Sequence, residues 1–335
     1  MKTTCVLVTG GAGFIGGEFV RQMVGIAKHS LVVVDRLNYA ARLDGISEAI
    51  SGSNATFVQG DIRDRRFVEG LLVDFPINIV VNFAAESHVD RSITSPLPFL
   101  EHNLVGTAEL LEATRLAWQH RHVRGRWIQV STDEVYGSLE PNSNADETAY
   151  LNPTSPYSAS KAAADLWIQA YGRTFGVPIL VTRSVNNYGP YQYPEKLIPR
   201  LVRKALEGEP LPIFGNGLQI REWIHVADHC RALVQLLHQG KAGEVYNIGS
   251  GVRVTNLAIA ESVIKLLQTW IKNEGRPPLA MQIEQVEDRQ AHDRYYGLKC
   301  EKLREEIDWS CEVDFQAGLG ETVKWLANDY SRQAK

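Results

Sequence analysis

The sequence predicts an α/β protein built on a doubly wound parallel sheet, with a smaller mixed domain toward the C-terminus. Short apolar runs rich in β-branched residues alternate with helical stretches, and a glycine-rich turn joins the first run to the first helix. After about Ser184 the chain becomes richer in proline, glycine and loops, as expected for a smaller domain that covers a crevice. We assign residues 1–185 and 220–247 to the sheet domain, and residues 186–219 and 248–335 to the smaller domain.

The first strand, Thr4 to Thr9, runs directly into the turn Gly-Gly-Ala-Gly-Phe-Ile-Gly at positions 10–16. Gly10 permits the tight turn, Gly13 lets backbone N–H groups approach a pyrophosphate, and Gly16 lets the next helix pack against the strand. The N-terminus of that helix then faces the phosphates. Strand, glycine turn and helix together predict a dinucleotide-binding domain of the Rossmann type.

The second strand, residues 31–34, ends at Asp35, about 20 residues beyond the glycine turn. An acidic side chain at this place can accept hydrogen bonds from a ribose 2′-hydroxyl, which favours NAD over NADP. Arg36 follows directly and could hold a 2′-phosphate, so the choice of cofactor stays open at this point.

Further strands are predicted at residues 56–59, 79–83, 127–130 and 179–182. Because ligands bind at the carboxyl ends of parallel strands, the segments that follow these strands should converge on one crevice. We expect the dinucleotide to contact six more residues of the glycine turn and these segments: Phe14, Ile15, Asp61, Ile62, Ala84 and Ala85.

Composition and charge exclude several classes of partner. The net charge of −4 gives no broad basic field for a nucleic acid or an anionic membrane surface. The 4 cysteines are scattered without a Cys-x-x-Cys spacing, which fits a reducing compartment, and no apolar stretch reaches the ~18 residues of a membrane helix. His225 and His229 share helical spacing but straddle a predicted strand-to-helix junction. We therefore expect a cytoplasmic protein that binds no metal, nucleic acid or membrane.

Tyr157 and Lys161 form the first half of a pattern that suggests a redox site. At positions i and i+4 of a helix they share one face, so the Lys161 ammonium can favour the ionised form of the Tyr157 phenol. Such a tyrosine can take a proton from a sugar hydroxyl while hydride leaves the same carbon. We expect both residues to contact the cofactor and to be catalytic.

Two adjacent acids, Asp133 and Glu134, form the second half of this pattern. They suggest that the site also removes water from its substrate. They follow Thr132 at the end of a predicted strand. Successive strand residues point to opposite faces, so both acids can reach one sugar only if the strand ends here and the chain turns. Gly137 is consistent with such a turn.

The order of the motifs carries a family resemblance. The glycine turn 10–16, Ala84–Ile93, Ser131–Gly137, Ser155–Lys161 and Asn186–Pro199 occur as they do in the dTDP-glucose 4,6-dehydratases of the extended short-chain dehydrogenase/reductase group, which the chain closely resembles over nearly its whole length. The glycine and Tyr-x-x-x-Lys motifs identify only the broad superfamily, whereas the Thr-Asp-Glu and Asn-Asn-Tyr-Gly-Pro-Tyr segments are narrower.

The residue that discriminates among related families is Asp133. Related epimerases keep the tyrosine and lysine but lack the paired acids. The GDP-mannose dehydratases and glucuronate decarboxylases typically carry serine at the position of Asp133.

The resemblance implies that NAD is reduced and then restored within one catalytic cycle. C4 of the glucose is oxidised, water is eliminated across C5 and C6, and hydride returns to C6. By resemblance Glu134 is the base at C5, Asp133 is the acid at the C6 oxygen, and Thr132 hydrogen bonds near the C4 oxygen and Tyr157. Residues expected to bind the nucleotide sugar are Ser87, Asn186, Asn187, Lys196, Leu197, Phe214, Arg221, Asn247, Arg289 and His292.

The chain departs from the family pattern in its C-terminal third. Residues 288–296 read Asp-Arg-Gln-Ala-His-Asp-Arg-Tyr-Tyr and lack the usual Pro-Gly, and Glu222 replaces the usual aspartate. Losing Pro-Gly relaxes the backbone near the diphosphate, so UDP rather than dTDP stays open as the nucleotide. A nucleotide-sugar epimerase and a non-enzymatic NAD-binding module are the remaining alternatives.

The resemblance also implies a homodimer whose contact is a helix bundle. Its segments are residues 103–118 and 158–175, in which Leu104, Ala108, Leu111 and Trp167 offer apolar surface at helical spacing.

Overall fold

The computed structural model describes residues 4–26 and 28–333. The strands in chain order are β1 (Thr4–Thr9), β2 (His29–Asp35), β3 (Ala55–Gln59), β4 (Ile77–Asn82), β5 (Arg126–Thr132), β6 (Ile179–Ser184), β7 (Asn186–Tyr188), β8 (Leu211–Phe214), β9 (Ile220–His225), β10 (Val245–Ile248), β11 (Arg253–Thr255) and β12 (Ile283–Val286). The α-helices are α1 (Phe14–Val24), α2 (Asp44–Ile50), α3 (Arg65–Asp74), α4 (Val89–Thr94), α5 (Leu97–Phe99), α6 (Gly106–His120), α7 (Pro156–Phe175), α8 (Leu197–Leu206), α9 (Val226–Gln239), α10 (Asn256–Asn273), α11 (Glu301–Ile307) and α12 (Phe315–Gln333).

Seven parallel strands form the central sheet, in the order β3-β2-β1-β4-β5-β6-β10. The chain therefore winds outward from β1 in one direction and from β4 in the other, which confirms the doubly wound α/β fold expected from the sequence. The strand order reverses between β1 and β4, and a crevice is expected at the carboxyl ends of the strands there. The six strands predicted from the sequence are all present, and β10 extends the sheet at its far edge.

Alternate residues of the buried strands pack on opposite faces of the sheet. On one face, Val6 and Val8 of β1 pack in a core that includes Phe19 of α1. On the other face, Cys5 and Leu7 pack in a core that includes Leu110 and Leu111 of α6. Because both faces are covered by helices, the strands are apolar throughout, as expected for a parallel sheet.

The smaller domain has its own core and two short sheets. The sheets are β11-β9-β7 and β12-β8. Side chains of α8, α10 and α12, among them Leu201, Leu267 and Leu319, pack in a third apolar core with Tyr188 and Trp223.

The boundary between the domains differs from the sequence-based assignment in two places. Residues 220–225, which we assigned to the sheet domain, form β9 and hydrogen bond to β7 and β11 in the smaller domain. Residues near the C-terminus, including Leu303 of α11 and Trp309, return to pack in the core of the sheet domain. An apolar run predicts a strand or a helix but does not identify its neighbour, so both differences have the same origin.

The helical segment before β5 begins earlier than the sequence pattern suggests. It starts at α5, continues through a π-helical turn at Leu100–Val105, and then runs on as α6. Among the described residues, no helix combines the length and the apolar character needed to cross a membrane.

Candidate active site

Two glycines of the turn after β1 are packed so closely that neither position could carry a side chain. Gly10 has a φ of +68°, and a Cβ there would lie 2.7 Å from the Ala84 nitrogen. A Cβ on Gly16 would lie 2.3 Å from the Gly10 carbonyl oxygen. Gly13 caps α1 without a side-chain hydrogen bond, so the first N–H groups of the helix face the crevice without a competing side chain. The turn therefore fits a dinucleotide pyrophosphate.

A cavity of about 340 Å³ opens above this turn at the carboxyl ends of β1 to β5. Its wall also includes the first turns of α7 and the start of α8. Every residue that the sequence assigned to the cofactor lines it: Gly10, Gly13, Phe14, Ile15, Gly16, Asp35, Asp61, Ile62, Ala84, Ala85, Tyr157 and Lys161.

The residues that discriminate between NAD and NADP lie on one side of this cavity. Asp35 accepts hydrogen bonds from the backbone nitrogens of Ala12, at 3.1 Å, and Leu37, at 2.8 Å. The Arg36 guanidinium pairs with Glu86, so the cation that could hold a 2′-phosphate is already neutralised by a carboxylate. This arrangement fits a cofactor with a free 2′-hydroxyl.

The chain turns at the end of β5, as the paired acids require. Residues 133–136 form a single 3₁₀ turn, and the Thr132 hydroxyl caps it by accepting a hydrogen bond from the Glu134 nitrogen at 3.2 Å. Gly137 ends the turn with a φ of +73°, and a Cβ there would lie 2.0 Å from the Asn152 carbonyl oxygen. A side chain at this position would force the turn away from Asn152.

The two acids occupy different environments. Glu134 lines the cavity, whereas Asp133 does not and is only 2% exposed. The Thr132 hydroxyl, which does line the cavity, donates to Asp133 at 3.1 Å. Of the two acids, only Glu134 therefore faces the cavity directly, since the tight turn points the adjacent side chains in different directions.

Burial and neighbouring charge separate the proton affinities of these acids. Burial, the Glu134 charge and the Glu222 charge raise the pKa of Asp133 well above its usual value. Burial also raises the pKa of Glu134, but the charges of Arg221, Lys196 and Arg289 oppose the rise. Neighbouring carboxyls held apart in this way can act as an acid and a base.

Tyr157 and Lys161 share one face of α7, as predicted. The helix begins at Pro156 behind a capping box of Ser155 and Ser158, which fixes the first turn that carries Tyr157. The Lys161 ammonium donates to the Val130 carbonyl oxygen at 2.8 Å.

The pKa of Tyr157 does not follow the sequence-based expectation. We expected the Lys161 ammonium to lower it, but burial and the Glu134 charge raise it, and the hydrogen bond with Thr132 is the contact that opposes the rise. Burial lowers the pKa of Lys161 to about 8, while the Asp165 charge opposes this effect. The spacing of Tyr157 and Lys161 predicted their shared face but not how deeply both groups are buried.

A second cavity of about 160 Å³ adjoins the first and lies mainly against the smaller domain. Glu134 lines both cavities, so the second leads to the reactive residues. Arg221 lies over the Tyr296 ring at 4.3 Å, and Arg289 lies over the Phe214 ring at 5.0 Å. Residues assigned to the nucleotide sugar that line this second cavity are Ser87, Asn186, Lys196, Leu197, Phe214, Arg221, Arg289 and His292.

Arg200 is a cation of this second cavity that the sequence analysis missed. It stands one helical turn after Lys196 and lies over the Phe214 ring at 5.6 Å. The i, i+4 spacing of these two basic residues is the signal that could have revealed it.

Two of the predicted substrate residues are held differently from expectation. Asn187 lines the first cavity only, and its carboxamide bonds internally to the Val185 carbonyl oxygen and the His229 ring at 2.9 Å each. Asn247 lines neither cavity: it accepts from the Tyr136 hydroxyl at 2.8 Å and donates to two backbone carbonyls. The Asn247 side chain is thus directed away from both cavities and is engaged in internal hydrogen bonds.

Across residues 4–26 and 28–333, no group of three or more His, Cys, Asp and Glu side chains is arranged to hold a metal ion. His225 ends β9 and His229 lies in the next helix, α9, as the sequence indicates. His229 is hydrogen bonded to Asn187.

The chain is similar to sugar-nucleotide dehydratases over nearly its whole length. The family model described as GDP-mannose 4,6 dehydratase matches residues 7–322. The dTDP-glucose 4,6-dehydratase of Xanthomonas campestris pv. campestris (strain B100) is 45% identical over 323 residues, which cover 95% of this chain and 92% of that protein.

Solved structures show the same fold in both dehydratases and epimerases. The crystal structure of the dTDP-glucose 4,6-dehydratase from Streptomyces venezuelae, with NAD and a dTDP ligand bound, matches with a TM-score of 0.88 at 40% identity over 98% of both chains. The UDP-glucose 4-epimerase of Thermotoga maritima, with UDP-glucose, matches with a TM-score of 0.83 at 27% identity over 99% of this chain and 100% of that one. The fold alone does not separate the two activities, so the site residues must.

Proposed function

We propose that this chain, which belongs to the dTDP-glucose 4,6-dehydratase family, converts dTDP-glucose into dTDP-4-keto-6-deoxyglucose and water. The observation that carries this proposal is the acid pair: Glu134 lines the cavity that also holds Tyr157 and Lys161, and Asp133 is bonded to Thr132 of the same cavity. An epimerase requires the tyrosine and lysine but has no use for an acid and a base that remove water.

The first step is oxidation at C4 of the glucose. The cofactor is NAD, which supplies a hydride acceptor at the start of the cycle and a hydride donor at its end. Tyr157 takes the proton of the C4 hydroxyl as hydride leaves the same carbon. Lys161, whose ammonium lies on the same helix face, stabilises the phenolate, and Thr132 lines the cavity beside them.

The second step is elimination of water. The C4 ketone acidifies the C5 hydrogen, which Glu134 removes as a base. Asp133 supplies the proton that leaves with the C6 oxygen, and the Thr132 hydroxyl, bonded to Asp133 and exposed to the cavity, can pass this proton on. Hydride then returns to C6 and Glu134 returns a proton to C5, so the net reaction is loss of one water molecule.

Substrate binding uses the cations of the second cavity. Arg221, Arg289 and Lys196 can face the two phosphates, and a guanidinium fork matches phosphate oxygens. Phe214 offers an aromatic face for the nucleotide base.

A panel of nucleotide diphosphate glucoses tests the proposal directly. With dTDP-glucose we expect the alkali-induced ultraviolet absorbance of a 4-keto sugar, and slower formation of it with UDP-glucose and GDP-glucose. An epimerised product without a keto sugar would instead support the epimerase. A preference for UDP-glucose would support the same dehydration reaction but with a UDP-linked substrate instead of a dTDP-linked one.

The pH dependence of elimination provides a second test. Glu134 must be ionised to act as a base, and its pKa is raised, so elimination should be present above that raised pKa and lost as pH falls through it. We expect the acid limb of the elimination rate to lie above the ordinary carboxylate range. Arg221 is the strongest charge opposing the rise, so Arg221→Met should move the limb to still higher pH. Single-turnover rates measured across pH would contradict this assignment if the variant's limb moved to lower pH.

We also propose that the protein is a homodimer. Large apolar side chains are exposed along the outer faces of α5, the π-helical turn, α6 and α7: Leu97, Leu100, Val105, Leu116, Leu166, Trp167 and Phe175. These helices pack against one another, and large apolar side chains exposed on neighbouring helices support an interface at this face. Leu111, which the sequence suggested for this surface, is instead fully buried in the sheet-domain core.

A charge introduced in this face should disrupt the dimer. Trp167→Asp, at a side chain 45% exposed, is expected to produce monomers in sedimentation velocity experiments. Val73→Asp is the matched control, because Val73 is an 85% exposed apolar residue on α3, a helix that contributes none of the apolar side chains named above. Dimers of equal stability in both variants would contradict the proposed interface.

We infer a cytoplasmic location as well. All 4 cysteines, Cys5, Cys230, Cys300 and Cys311, are unpaired, which supports a reducing compartment.

A further inference from the structure

A buried ion pair lies next to the catalytic lysine but lines neither cavity. Asp165 stands one turn after Lys161 on α7 and is fully buried, and Arg183 of β6 is 3% exposed. The Arg183 Nε donates to Asp165 Oδ2 at 3.1 Å. Residues at i and i+4 of a helix are neighbours, so the Asp165 carboxylate, which bonds to Arg183, also lies near Lys161 and interacts with its charge.

Arg183 also connects this pair to the turn that carries the two acids. Its Nη1 donates to the Tyr136 hydroxyl at 2.9 Å, and its guanidinium lies 4.9 Å from the centre of the Tyr136 ring. Tyr136 is the last residue of the 3₁₀ turn that begins at Asp133. Through these contacts Arg183 is fixed between α7, which bears Tyr157 and Lys161, and the turn after β5.

The burial of this pair calls for a reason other than stability. A buried ion pair loses much of its hydration, and replacing it by apolar groups is often neutral or stabilising. Here burial also acts against Lys161, because it favours the uncharged amine, and Asp165 is the charge that opposes this effect. Tyr157 lies one turn earlier on α7, and the Lys161 ammonium donates to the Val130 carbonyl oxygen of β5 at 2.8 Å.

We propose that Asp165 and Arg183 are positioning residues for the reaction: Asp165 keeps Lys161 in its ammonium form, and Arg183 holds Asp165 in place. The ammonium is what stabilises the Tyr157 phenolate during oxidation at C4. This inference rests on the proposed function, in which Tyr157 and Lys161 act together, and it adds two residues that contact neither substrate nor cofactor.

The pH dependence of C4 oxidation tests the inference. Lys161 has a lowered pKa of about 8, so oxidation should decline as pH rises through that range. Asp165→Asn removes the charge that opposes this lowering and leaves Arg183 as an unpaired cation, so Lys161 should lose its proton more easily. The alkaline limb of NADH formation in single turnovers with dTDP-glucose should then move down by about one to two pH units. Asp165→Glu, which keeps the carboxylate, should restore the limb toward its original position.

Two further variants distinguish positioning from simple structural support. Asp165→Asn combined with Arg183→Met removes both buried charges, so the chain should fold even if the single variant does not, and the limb should remain displaced. Asp228→Asn is the matched control, because Asp228 is a buried carboxylate paired with Arg231 at 2.5 Å and lines neither cavity. It should lower thermal stability without moving the limb.

The inference is overturned if the double variant has the alkaline limb of the unmodified enzyme, or if Asp165→Asn lowers only stability, as Asp228→Asn does. Failure of the proposed function has a different signature, because the unmodified protein would then form neither NADH nor a keto sugar from dTDP-glucose.

Discussion

Replacing Tyr157 with phenylalanine is expected to abolish C4 oxidation, with a loss of about 10³-fold or more. The change removes only the hydroxyl that accepts the substrate proton and leaves a ring that is 8% exposed and packed edge-on against Phe99. NAD should therefore still bind. The expected result is an enzyme that forms neither NADH in single turnovers nor a 4-keto product at steady state.

Tyr171→Phe is the matched control for this variant. Tyr171 lies on the same helix, packs against Trp167 and Phe175, and lines neither cavity. It should retain nearly full activity. If Tyr157→Phe oxidised the substrate within a few fold of the unmodified rate, Tyr157 would not be the base.

Replacing Asp133 with asparagine is expected to separate the two halves of the reaction. The carboxamide has the same shape and can still accept the hydrogen bond from Thr132, but it cannot supply an acidic proton. We expect elimination to slow by about 10²-fold or more while C4 oxidation changes little. The enzyme should then accumulate NADH, which rapid-quench and absorbance measurements can follow in the same single turnover.

Asp146→Asn provides a comparison at a carboxylate outside the site. Asp146 lies in the loop after the 3₁₀ turn and bonds locally to Thr148. It should leave both steps intact. An equal loss of oxidation and elimination in Asp133→Asn would argue against its role as the acid, and would indicate that the change disturbs the whole turn.

The backbone features of the site could be predicted from the sequence because they depend on local constraints. The close approach of Gly10 and Gly16, the end of β5 at Thr132 and the positive φ of Gly137 all follow from which residues a turn tolerates. The convergence of the strand ends follows from the topology of a parallel sheet. These features placed all the expected cofactor residues along one cavity.

The direction and environment of individual side chains could not be predicted in the same way. Asn247 lies in the buried strand β10. Only the residues near it in space show that its carboxamide is hydrogen bonded to Tyr136 and to two backbone carbonyls. Asp133 and Glu134 are adjacent in sequence, and only the turn geometry shows that one faces the cavity and the other is buried. The raised pKa of Tyr157 likewise depends on burial, which a four-residue spacing cannot reveal.

In the proposed reaction, one hydride leaves C4 of glucose and returns to C6 of the same molecule. This hydride can be followed with dTDP-glucose that carries deuterium at C4. The substrate is incubated with the enzyme, and the product is analysed by NMR or mass spectrometry. We expect deuterium in the C6 methyl group of the 4-keto product. Deuterium that remained at C4, or an inverted C4 hydroxyl with no methyl group formed, would contradict it.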